Sequence, residues 1–126
     1  MTEAPDYSSP LSYQHIENAM RHAINQMDDL TKDFAVTADE YGSAEAFFKV
    51  AFAKARLTAR VGGDFEGKKI TADLADDIAT VNTESERIAM EGAKAKNDAT
   101  RQSLMSVRSR LEALRSLMAS HREAGG

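Results

Sequence analysis

Cysteine and tryptophan are absent from the 126 residues, proline occurs twice, and aromatic side chains make up only 6%. Without cysteine the chain has no disulfide framework, no thiolate metal site and no cysteine nucleophile. Both prolines, Pro5 and Pro10, lie in the first ten residues, so no proline interrupts a helix from Leu11 onward. No apolar run approaches the roughly 20 residues that cross a bilayer. The start, Met1-Thr2-Glu3-Ala4-Pro5-Asp6, is acidic where a signal peptide is basic and then apolar. These absences predict a cytoplasmic chain without membrane contact. Also missing are a Gly-x-Ser-x-Gly elbow, a phosphate-binding Gly-x-x-x-x-Gly-Lys-Ser/Thr loop and a Gly-x-Gly-x-x-Gly turn. The expectation is therefore a non-enzyme, with no catalytic residue and no cofactor.

What is present is helical. The chain is 42% hydrophobic and 29% charged, with 16 basic and 20 acidic groups giving a net charge of −4, which suits one small domain. Three of the seven glycines, Gly62, Gly63 and Gly67, fall close together near the midpoint. Thr71 follows as an N-cap, with Asp73 in the next turn. Ser9-Pro10 is a start signal upstream and Gly125-Gly126 a stop downstream. The reading is a tail over 1–9 and a single helical domain over 10–124, with helix one about 10–61, a turn about 62–70 and helix two about 71–124.

Periodicity makes the helices pair. Tyr13, Ile16, Met20, Ala23, Met27, Leu30, Phe34, Thr37, Tyr41, Ala44, Phe48, Ala51, Ala55 and Thr58 keep an unbroken 3-then-4 spacing, the signature of a coiled-coil seam. Helix two offers Leu74, Ile78, Val81, Ser85, Ile88, Gly92, Ala95 and Ala99 at the same spacing. It then slips phase near residue 100 and resumes with Leu104, Val107, Leu111, Leu114 and Met118. The fold class predicted is all-α: a long antiparallel two-helix coiled-coil hairpin, each arm about 75 Å at 1.5 Å per residue, completed by self-association into a bundle. Folded about residue 66, residue i faces about 132 − i, which sets Phe34, Tyr41 and Phe48 against Ala95–Ala99, Gly92 and Ser85, large against small. Charge agrees. Residues 1–48, 49–69, 70–98 and 99–126 carry net charges of −7, +4, −4 and +3, so folding back lays acid along base. Glu17, Asp28, Asp29 and Asp33 then lie beside Arg101, Arg108, Arg110 and Arg115.

Three groups of residues are candidates for chemistry. His15 and His22 are seven apart and His121 returns to the same end, but no His-x-x-x-His or Glu-x-x-His spacing occurs, so no metal site is expected. Lys49, Lys54, Arg56, Arg60, Lys68 and Lys69 gather around the turn with Phe65 among them. That mixture contacts phosphates and stacks bases, and it makes nucleic-acid binding the alternative reading. The third group is apolar. With the seam at a and d, Phe47 and Val61 fall at g, and Val36, Val50 and Leu57 at c, which widens the apolar face of helix one beyond what helix two can cover. Phe47, Val50, Leu57, Val61 and Phe65 are therefore the predicted protein interface. They would take a third helix from a second copy, as a homo-oligomer, or from another protein. Met90, Met105 and Leu117 lie off the seam of helix two and would complete the same layer.

Tyr41 and the stretches Ala51-Phe52-Ala53-Lys54-Ala55-Arg56-Leu57, Lys69-Ile70-Thr71-Ala72 and Leu111-Glu112-Ala113-Leu114-Arg115-Ser116-Leu117 resemble small helical proteins of tailed bacteriophages, often encoded among replication and recombination genes. The resemblance spans about residues 41–122. It implies a phage adaptor or modulator acting in the host cytoplasm on a phage or host protein, with a structural part of the virion as an alternative, and it carries over no catalytic residue.

Overall fold

The computed structural model describes residues 12–62, 64–65 and 68–124, without the side chains of Asp64, Phe65 and Lys68. In chain order the elements are α1 (Tyr13–Val61), β1 (Asp64–Phe65), β2 (Lys68–Lys69), α2 (Ala72–Asn82) and α3 (Glu84–Ala124). The all-α expectation holds. The connection between the long helices is more ordered than a bare turn, because β1 and β2 form a two-residue antiparallel ladder that pairs Asp64 with Lys69 and Phe65 with Lys68. Among the described residues no helix is long and apolar enough to cross a membrane.

Local chemistry explains the helix ends. Ser12 caps α1: its Oγ accepts from the His15 N–H at 3.2 Å, satisfying one of the free donors of the first turn, and its carbonyl accepts the first helical bond from the Ile16 N–H at 3.0 Å. The predicted start at Ser9-Pro10 and the tail over 1–9 lie outside the described residues. Gly62 follows the last turn and donates to the Thr58 carbonyl at 2.9 Å. Thr71 is the N-cap of α2, as the sequence predicts, its hydroxyl accepting from the Leu74 N–H at 3.2 Å with Asp73 in the first turn.

Helix two is divided at Thr83. There the backbone reaches φ −115°, ψ 23°, and the residue is buried. Both its N–H and its hydroxyl donate to the Ala79 carbonyl, at 3.0 and 2.7 Å. A side chain that bonds back to the carbonyl four residues earlier competes with the ladder and bends the helix. The ladder is not lost, since the Thr83 carbonyl accepts from the Arg87 N–H at 3.0 Å.

The chain divides into two compact units, one of residues 1–35 and 98–126, the other of residues 36–97. In the first, Ala19 and Ala23 of α1 cluster with Val107, Leu111 and Leu114 of α3, and Met20, Met27 and Leu30 pack against them. Small residues of α1 here meet large ones of α3. At the edges Arg110 donates to Gln26 and Arg122 to the Tyr13 hydroxyl at 3.4 Å, with the Tyr13 and His121 rings 6.1 Å apart. In the second unit α1 supplies the half-buried Tyr41, Phe48 and Phe52, and the buried residues of helix two are the small Ala75, Ala79 and Thr83. The buried Thr37 hydroxyl donates to Asn97 Oδ1 at 3.0 Å, Lys96 reaches Glu40 at 3.5 Å, and Arg56 lies 2.8 Å from Asp76. In both units these pairs run in opposite chain directions, residue i of α1 meeting partners at about 134 − i.

The seam of α1 matches the sequence reading: from Ile16 to Ala55 each of its positions is buried or half-buried. The seam of helix two matches at Leu74 and Ile78, which are half-buried, and from Leu104 to Met118, where Leu104, Val107, Leu111, Leu114 and Met118 are buried or half-buried, but not between them. Val81, Ser85, Ile88, Gly92, Ala95 and Ala99 are exposed, and a Cβ placed on Gly92 meets no atom within 4 Å. The covered positions are instead Thr83, Glu86, Met90, Ala93, Asn97, Thr100, Leu104, Val107, Leu111, Leu114, Met118 and His121, spaced 3 and 4 without interruption. The expected phase slip near residue 100 does not occur, and Met90 belongs to this line. Gly92 and Ser85 therefore do not face Tyr41 and Phe48. The predicted acid–arginine alignment also changes, since Glu17 pairs with Arg21 on its own helix and Arg110 turns to Gln26.

Candidate functional site

The second unit carries the apolar flank expected on α1. At 100° per residue, Val36, Phe47, Val50, Leu57 and Val61 project about 110° away from the seam. Each is 54–77% exposed, so their side chains do not fill the core. The helix holds this flank firmly because the opposite stripe, Phe48 and Phe52 included, is half-buried; their ring centroids lie 6.0 Å apart. Phe65 was expected to extend the flank, and its side chain lies outside the described residues.

The basic group at the same end is partly engaged. Lys49 pairs with Glu45 at 3.3 Å, and Arg56 with Asp76. Lys54, Arg60 and Lys69 are exposed, and the Lys68 side chain lies outside the described residues. Glu45 also accepts from the Tyr41 hydroxyl at 3.0 Å; this bond first, and the Lys49 ammonium second, hold its carboxyl below the usual range. Two of the six basic residues, Lys49 and Arg56, thus sit beside carboxylates.

His15, His22 and His121 are half-buried, and among the described residues no group of three His, Asp or Glu side chains is placed to hold a metal. In the first unit a depression of about 670 Å³ opens beside Gln26, Asp29, Gln102, Ser106 and Arg110. It is wide and open on one side.

Sequence reasoning missed one surface. Val81, Ser85, Ile88, Gly92 and Ala95 are exposed on helix two, Val81 at 72% and Ile88 at 63%, with no charge at any of the five positions, and Leu74 and Ile78 continue the spacing as half-buried residues. Met105 and Leu117 are exposed further along α3. The signal was in the sequence: helix two carries two lines of 3-and-4 spacing, and only the line with larger side chains was taken for the seam. No protein-family model, curated protein or solved structure matches the chain.

Proposed function

We propose that this protein is a non-enzymatic protein-interaction module: an antiparallel coiled-coil hairpin that self-associates and serves as an adaptor or modulator of phage DNA replication, recombination or host takeover in the host cytoplasm. The phage setting rests on the resemblance of Tyr41, Ala51–Leu57, Lys69–Ala72 and Leu111–Leu117. The observation that carries the interaction role is the α1 flank, where five exposed apolar side chains share one helical stripe inside a basic rim. Apolar and aromatic centres within charged rims are how interfaces are commonly built.

The hairpin has a direct test. Glu112, at the spacing first expected to face Met20, is exposed, whereas Leu114 is buried in the cluster against which Met20 packs. In this cysteine-free chain, Met20→Cys with Leu114→Cys is expected to give an intrachain disulfide on oxidation, read as a monomeric band of raised mobility without reductant. Disulfides found solely between chains would replace the hairpin by a swapped or extended dimer.

The flank is tested by Phe47→Lys with Leu57→Lys. Far-UV circular dichroism should keep its helical amplitude, because both residues lie off the seam, while a partner purified with the wild-type chain should no longer bind. Retention of that partner by the double variant would remove the flank from the interface. Wild-type capture should fall gently with salt; a steep loss, with a logarithmic slope of about −4 or beyond, would move the assignment to nucleic acid.

A further inference from the structure

We infer that duplex nucleic acid binds by its phosphate backbone along the exposed side of α3 between Arg101 and Arg122, a surface separate from the α1 flank, which is left for a protein.

Arg101, Arg108, Arg115 and Arg122 recur every seven residues and all are exposed, so they form one line on the helix, about 10.5 Å from one to the next and about 31 Å long at 1.5 Å per residue. Upstream the same line continues through Arg87 and Lys94. There it is balanced, because Glu84, Glu91 and Asp98 alternate with it in steps of 3 and 4. Beyond Asp98 the alternation lapses: Met105 and Ala119 stand where the ladder would put acids, and Glu112 is its one remaining carboxylate. Residues 99–122 hold five arginines and that single acid.

The line is not neutralised within its unit. Among the described residues Arg101, Arg108 and Arg115 make no ion pair and no side-chain hydrogen bond, and Arg122 lies over the Tyr13 ring, 6.0 Å from its centroid. On α1, Glu17 is taken by Arg21, and Asp28, Asp29 and Asp33 are exposed, so acid and base in this unit are segregated by helix. An unneutralised row of guanidinium groups calls for a polyanion.

The neighbouring side chains select which one. Ser109 and Ser116 follow Arg108 and Arg115, about 100° further round and exposed, and arginine with hydroxyl is the chemistry that holds phosphate oxygens. An acidic protein would need an apolar centre to its contact, and Met105 and Leu117 are the only large apolar side chains exposed on this stretch. A single strand would need aromatic rings on which to stack bases, and residues 98–124 contain no Phe, Tyr or Trp. A duplex needs neither. Each of its strands carries a phosphate about every 3.4 Å of rise, so one step along the arginine line spans about three of them.

The experiment is fluorescence anisotropy of a labelled DNA duplex of about 20 base pairs, roughly twice the length of the line, titrated with the full-length chain over a series of salt concentrations. Wild type is expected to bind with a logarithmic salt slope of about −3 to −4. Arg101→Gln with Arg108→Gln and Arg115→Gln should flatten that slope by about 3 and weaken binding at low salt by at least about a hundredfold. Circular dichroism and melting temperature should not change, because these side chains hold nothing within the chain. Lysine at the same three positions keeps the charge and should keep most of the slope. Glu112→Gln removes the carboxylate beside the line and should tighten binding by about twofold. Lys54→Gln with Arg60→Gln, near the turn, should leave the slope as it is. A wild-type chain that does not bind the duplex at low salt, or a triple glutamine variant with the wild-type slope, overturns the inference. Loss of binding in Lys54→Gln with Arg60→Gln instead would return nucleic acid to the turn, and tighter binding of the matching single strand or of polyglutamate would replace the duplex as the ligand; either result also overturns it.

Discussion

Leu111→Ala is expected to lower the unfolding free energy by about 2–5 kcal/mol, the largest effect of any single truncation considered for this chain. Leu111 is 4% exposed and sits at the centre of the cluster formed by Ala19, Ala23, Val107 and Leu114. The buried members of the cluster on α1 are alanines, whose short side chains do not reach into the space a missing isobutyl group leaves, and Met20, Met27 and Leu30 pack at its edge. The cavity therefore stays open, and its cost adds to the lost transfer energy of the deleted carbons. Met105→Ala, on the exposed side of the same helix, should stay within about 0.5 kcal/mol of wild type. Urea unfolding at fixed protein concentration decides: the midpoint should fall for Leu111→Ala at an unchanged slope. Equal losses for the two variants would mean that the first unit does not pack on this face.

Ala79→Leu carries the second large effect, a destabilisation of about 1–3 kcal/mol through overpacking. The line Leu74, Ile78, Val81 places Ala79 off the seam, where a leucine would be harmless or, as a good helix former, slightly favourable. The structure places it at 0% exposure beside Ala75 and Thr83, with its own carbonyl accepting twice from Thr83. A leucine there displaces α1 or breaks the back-bonded turn. Ala89→Leu is the matched control, since Ala89 is exposed on the same arm. Thermal unfolding should separate the two, with Ala79→Leu melting well below wild type and Ala89→Leu close to it. An unchanged melting temperature for Ala79→Leu would restore the seam that the larger side chains suggest.

The α1 flank was legible before any coordinates, because one strong, uninterrupted seam fixes the helical phase and every other position follows from 100° per residue. Phe47, Val50, Leu57 and Val61 fall outside it on arithmetic alone. The outward stripe of helix two was not legible as such. Its side chains are larger than those of the true seam, and hydrophobicity by itself ranks Ile78, Val81 and Ile88 above Ala79, Thr83 and Asn97. The basic cluster was legible as a set of residues, and folding the acidic start of helix two back along it already foretold the Arg56–Asp76 pair, whereas the Lys49–Glu45 pair within α1 was not foreseen.

Composition and periodicity by themselves determined an all-helical chain, the position of its central connection, the Thr71 cap and the buried line of α1. These properties are local, set by backbone preference and by the repeat of one helix. Only the tertiary structure decided which of two equally spaced lines on helix two turns inward. That choice depends on volume. α1 brings the half-buried Tyr41, Phe48 and Phe52 to its seam, and in the same unit helix two buries the small Ala75, Ala79 and Thr83 while Val81 and Ile88 stay exposed.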